Sequence, residues 1–146
     1  MIMQKLLARL RQDASGVAAI EFALIGPAFL VMMLGVLQVG LGLQSYNALR
    51  SLSADVARYS VVQYQTGNDI SNSQIRSWTR NHARGAPYLL DPDRLGVTVA
   101  DAGTQRVAGA KELRLTVTYQ ITSVLEFIDI EGPTLDFARP VFLIDE

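Results

Sequence analysis

From Phe22 to Leu43 the chain reads FALIGPAFLVMMLGVLQVGLGL, 22 residues without a charge and with Gln38 as the only conventional polar side chain. As a helix at about 1.5 Å per residue this stretch spans about 33 Å, enough to cross a hydrocarbon core of about 30 Å. The uncharged stretch continues to Leu49, and Arg50 is the first charge beyond it. Burying such a helix in a soluble core would require the rest of the chain to cover an apolar surface on every side. The length rule favours a membrane span.

The rest of the composition narrows the class. The chain has 146 residues, 49% hydrophobic and 18% charged, with a formal net charge of −1. That apolar content is too high, and that charge too small, for a chain that stays disordered. A near-neutral balance gives no electrostatic footprint for nucleic acid, so none is expected as a partner. Cysteine is absent and His82 is the only histidine, which excludes disulfides, thiol nucleophiles and multi-histidine metal sites. No GxSxG, HExxH or phosphate-loop glycine pattern occurs. The carboxylates Asp91, Asp93, Glu126, Asp129 and Glu131 lack EF-hand spacing and read as solvated loops. The expectation is therefore no catalytic residues, no metal and no cofactor: an interaction protein and not an enzyme.

The flanks orient the span. Lys5, Arg9 and Arg11 precede it against one acid, Asp13. The positive-inside rule then places the amino end in the cytoplasm and the remainder outside, with Arg50 and Arg58 weakening the contrast. A secretory signal also begins with basic residues, but its apolar core is shorter, about 7–15 residues, and ends in a small-x-small site. Only Gly40 and Gly42 offer weak candidates for such a site.

Between the basic leader and the apolar run lies Ser15-Gly16-Val17-Ala18-Ala19-Ile20-Glu21-Phe22-Ala23-Leu24-Ile25-Gly26-Pro27. Since Val17 to Ile20 are apolar, the hydrophobic helix begins at Val17 and carries one carboxylate, Glu21, just inside. An acid at a bilayer centre costs about 2.5–3.5 kcal/mol even on the lenient insertion scale. At the edge the cost is smaller, and Glu21 also suits the positive end of the helix dipole.

This segment resembles the amino terminus of type IV-like prepilins, most closely the TadE-like pseudopilins of tight-adherence (Flp-type) pilus systems. The resemblance covers roughly 13–57: a short basic leader ending in Gly16, an apolar stretch with Glu21 fifth after it, then the membrane helix. It implies that a prepilin peptidase removes residues 1–16 by cutting between Gly16 and Val17. It also implies that Glu21 pairs with a mature amino terminus, its own or a neighbour's, giving the desolvated carboxylate a partner. The implied partners are that peptidase, other pilins or pseudopilins of the same system, the inner-membrane assembly platform and the lipid bilayer. The implied location is the bacterial inner membrane, single-pass, with possible incorporation into a surface pilus. The competing reading is an uncleaved single-pass protein whose outer domain binds an envelope partner.

Ala28, Gly35 and Gly42 recur every seven residues, and with Gln38 they fall near one stripe, a candidate packing face for neighbouring helices. The alternative, of equal weight without a strict GxxxG, is that glycines are simply common in membrane helices. Pro27 removes one helix hydrogen bond and invites a kink. Beyond the span, Tyr46, Leu49, Leu52, Val56, Tyr59 and Val62 step by threes and fours, predicting one helix from Val17 to Gln65, about 73 Å long. Gly67-Asn68-Asp69 stops it.

The outer part reads as α+β. Ser71 and Gln74 form a capping box, with Ile70 and Ile75 as a hydrophobic staple, opening a second helix over 72–84. Its Arg76, Arg80 and Arg84 make a basic stripe that reads as a solvated face. Leu95, Val97 and Val99 alternate, Leu113–Ile121 alternates strictly, and Leu135, Phe137, Val141 and Leu143 suggest a third strand that Pro140 sends to a sheet edge. The prediction is a long helix, transmembrane then amphipathic, on an antiparallel sheet of about three strands plus a short helix, the pilin-like arrangement. The expected organisation is a leader over 1–16, a membrane helix over 17–44 and an extracytoplasmic domain over 45–146.

Overall fold

The computed structural model describes residues 14–144; Lys5, Arg9, Arg11 and Asp13 lie outside them. The chain forms helix α1 (Ala14–Gln65), helix α2 (Asn72–Arg84), strand β1 (Leu95–Asp101), strand β2 (Ala110–Gln120) and strand β3 (Thr134–Ile144), with short 3-10 turns at Pro92–Arg94 and Glu126–Ile128. It is an α+β fold, as expected. Two compact units divide between Gln38 and Val39.

In the first unit α1 carries its apolar side chains outward, Phe22 77%, Leu24 74% and Val36 73% exposed. A surface of this kind is compatible with solvation by lipid chains. The helix remains α-helical through Gly26-Pro27.

In the second unit α1 becomes a core element. Leu49, Leu52 and Val56 are fully buried. The stripe predicted from Tyr46 to Val62 is corrected at both ends: Tyr46 is 40% and Val62 47% exposed, while Ser53 and Ser60 are buried instead. Steps averaging little more than three residues fall behind a helix turn of about 3.6, so the predicted set winds around the rod. The buried set 49, 53, 56, 60 keeps pace. The serines tolerate burial because Ser53 Oγ donates to the Arg50 carbonyl and Ser60 Oγ to the Val56 carbonyl, each at 2.8 Å.

The end of α1 is a Schellman motif. Asn68 N donates to Gln63 O at 3.0 Å and Gly67 N to Tyr64 O at 3.1 Å, with Gly67 at φ +77°. A residue without a Cβ takes that conformation at no steric cost. The predicted capping box then opens α2: Ser71 N donates to Gln74 Oε1 at 2.8 Å and Gln74 N to Ser71 Oγ at 3.3 Å. Ile75 is buried and Ile70 half-buried against the same core.

The sheet is antiparallel in the order β1-β2-β3. Register places Val99 opposite Leu115 and Val97 opposite Val117 on one side, and Leu113 opposite Val141 on the other. These residues form the inner face, packed with Leu49, Leu52 and Val56 of α1 and Ile75 and Ala83 of α2. Pro140 lies opposite Arg114 on the edge strand β3, where a missing N–H is tolerated.

Candidate processing and assembly site

Gly16, Val17 and Glu21 all lie in the first unit, on one continuous stretch of α1. Val17 is 57% exposed, Ile20 64% exposed, and Glu21 is likewise exposed. No described residue forms a hydrogen bond or ion pair with the Glu21 carboxylate. Around Gly16 no atom lies within 4 Å of where a Cβ would stand. The Gly16–Val17 bond is thus accessible but helical, and glycine lowers the local helix stability by about 0.5–1 kcal/mol relative to alanine.

Helix geometry links these residues. Val17 and Glu21 are one turn apart, so an amine on Val17 and the carboxylate fall on the same face. Glu21 is also seven residues before Ala28, and the series continues through Gly35, Gly42, Leu49 and Val56. Each step of seven drifts only about 20° around an ideal helix. Ala28 and Gly35 are exposed and Gln38 is half-exposed. Gly42 differs: a Cβ there would meet Ile121 Cδ1 at 3.5 Å, so this glycine faces its own domain. The signal that could have shown this was the continuation of the sevenfold series into the buried Leu49 and Val56.

The outer unit carries polar arrangements of a structural kind. The Tyr88 hydroxyl donates to Asp55 Oδ2, and burial together with that carboxylate pushes the phenol up to about 12. Glu112, buried on the outer side of β2, accepts from Arg106 Nε at 2.8 Å and from Arg106 N at 3.1 Å. The guanidinium holds the Glu112 carboxyl below its ordinary range. This pair lines an open groove with Asp101, Thr104, Arg114 and Pro140. Its carboxylate is already engaged by Arg106.

Tyr59, Trp78 and His82 stack, with ring centroids 4.2 and 3.9 Å apart. His82 is exposed and serves here as the outer ring of the stack. Arg76, Arg80 and Arg84 are all exposed, and none forms an ion pair among the described residues. Among the described residues no group of three potential metal ligands converges. Asp91 caps the turn at Pro92–Arg94 through the Asp93 amide at 3.0 Å, and Glu126 pairs with Arg94 at 2.6 Å.

A long amino-terminal apolar helix, a second short helix and a three-stranded antiparallel sheet define an α+β protein. Residues 16–58 match the family model of TadE-like proteins. That family is pilus-associated and structural, with no known enzymatic role, and the match suggests a tight-adherence pilus-associated protein that works alongside other pilus components. Neither curated proteins nor solved structures gave a match to the chain. The apolar helix is compatible with a single-pass membrane protein.

Proposed function

We propose that this chain is a minor pilin or pseudopilin of a tight-adherence (Flp-type) assembly system, processed by a prepilin peptidase after Gly16. In this reading residues 1–16 are a cytoplasmic leader, 17–44 cross the inner membrane and 45–146 form the extracytoplasmic domain. The observation that carries it is the family match beginning at residue 16 and running through Glu21 and the apolar helix.

Cleavage creates an α-amino group on Val17. One turn away, Glu21 is an exposed carboxylate without a partner among the described residues, and the new amine would supply one, from the same chain or a neighbour. A matched pair removes most of the cost of placing a lone carboxylate at the membrane edge. Ala28 and Gly35, with Gln38 beside them, offer a face on which a neighbouring helix can approach closely and hydrogen-bond. Gly42 would extend that face only where Ile121 leaves room. Pro27 lacks the N–H that would lock its turn, a local weakness suited to a helix that leaves the bilayer for a filament.

Intact-mass measurement of the full chain from membranes, with and without the peptidase, tests the processing step. The expected product begins at Val17. An unchanged mass in the presence of active peptidase would overturn the proposal and leave an uncleaved anchor whose domain binds an envelope partner.

A further inference from the structure

We propose that the connection between β2 and β3 is a second, superficial membrane contact, in which Ile128 and Ile130 enter the headgroup layer of a zwitterionic phospholipid surface. The inference rests on the single-pass reading above and adds to it where the outer domain meets the bilayer.

Two contacts within the second unit set the level of this connection. Tyr46 meets Phe137 edge-on at 6.4 Å between centroids, and Phe137 lies opposite Val117 in β2. Four residues further along, Ile121 lies against Gly42. β2 therefore descends along the helix from Tyr46 to Gly42, and the connection emerges at the level of Gly42. A hydrocarbon core of about 30 Å uses about 20 helical residues, so a span that begins near Val17 is leaving the core as it nears Gly42. Exposed Leu43 and the half-exposed ring of Tyr46 occupy the same level, and tyrosine is enriched at the membrane–water boundary.

The connection is built to meet such a layer. Ile121 N donates to Pro133 O at 3.0 Å and closes its base. Inside it, Ile128 N donates to Leu125 O at 3.1 Å, Asp129 N to Glu126 O at 3.1 Å and Ile130 N to Leu125 O at 3.4 Å. The amides of Ile128, Asp129 and Ile130 are thereby paired, which lowers the cost of bringing these residues to a less polar phase. Ile128 is 54% and Ile130 48% exposed, whereas Val97 and Val99 of β1, Val117 of β2 and Ile121 just after it are buried.

The neighbouring acids set the depth and the lipid. Glu126 is drawn back by Arg94 at 2.6 Å, and Glu131 accepts from Gln120 Nε2 at 3.0 Å. Asp129, exposed at φ +59° between the isoleucines, stays solvated. A solvated carboxylate between two inserted side chains limits entry to headgroup depth and disfavours anionic lipid.

The chain has no native cysteine, so single labels are unambiguous. Nitroxide labels on Ile128→Cys, Ile130→Cys, Val107→Cys and Leu30→Cys of the full chain in phosphatidylcholine nanodiscs, one copy per disc, report collision with oxygen against a water-soluble nickel chelate. Labels at 128 and 130 are expected to favour oxygen, less strongly than at 30, while the label at 107, in the β1–β2 loop, favours nickel. Labels at 128 and 130 that read like 107, with 30 still in lipid, would overturn this inference alone. A label at 30 in water would overturn the membrane span and this contact with it. Oxygen preference at 128 and 130 appearing only in discs with two copies, with spin–spin broadening, would assign the isoleucines to a second copy and overturn the lipid contact.

Discussion

The Tyr88 hydroxyl donates its hydrogen bond to Asp55 Oδ2 across 33 residues of sequence, tying the segment after α2 to the half of α1 that serves as core. Tyr88 itself is 7% exposed. Replacing it by phenylalanine keeps the ring and strands a half-buried carboxylate, which costs about 1–3 kcal/mol. Denaturant unfolding of Tyr88→Phe against wild type measures it.

The same pair has a pH signature at the alkaline end. A phenol raised from 10.0 to about 12 by folding contributes stability that is intact below pH 10 and is lost as pH rises towards 12. The stability difference between wild type and Tyr88→Phe should shrink across that window. A difference that stays constant would show that Tyr88 does not titrate with folding.

At the acidic end the relevant group is Glu112, held below its ordinary value of 4.5 by hydrogen bonds from Arg106. A carboxyl depressed by folding stabilises the fold above its unfolded value and loses that contribution as pH falls through the lower, folded one. Glu112 also receives the Arg106 amide and is backed by Gln105, whose Oε1 accepts from Glu112 N at 2.6 Å. Glu112→Gln should therefore lower the protection of amides in residues 102–109 against exchange at neutral pH, and wild-type protection should converge on that of the variant, compared at the same pH, as pH falls below 4.5. Equal exchange in the two proteins at pH 7 would rule out the latch.

Gly132 is required by close approach. A Cβ there would stand 1.9 Å from the Ile121 carbonyl oxygen, at the base of the β2–β3 connection. Gly132→Ala should lower stability by about 1–3 kcal/mol. Gly103→Ala, with no atom within 4 Å, should change little. Thermal unfolding of the two variants distinguishes them.

The helix carries its own contrast. Leu49→Ala empties a fully buried site and should cost about 2–5 kcal/mol, whereas Val62→Ala, 47% exposed, should stay within about 0.5 kcal/mol. For assembly, Glu21→Ala should insert into membranes normally yet fail to enter the pilus complex. Wild-type recovery of that variant in isolated complexes would count against the pairing with Val17.

Much of this architecture was legible because it is written in short-range terms. The uncharged run from Phe22 to Leu43, the Ser71–Gln74 capping box and the strict alternation of Leu113–Ile121 each depend on residues within a few positions of one another. Local geometry gives such patterns a nearly unique meaning. The proposed site is of the same short-range kind, since Gly16, Val17 and Glu21 form one contiguous motif at fixed spacing.

What only the tertiary structure decided are the pairings across distance. No local rule joins Tyr88 to Asp55, Arg94 to Glu126 or Ile121 to Gly42, because each is set by how strands and helix are brought together. The choice of Ser53 and Ser60 over Val62 for burial has the same origin. A helix has many apolar faces available to it, and the one it buries is selected by the sheet it meets.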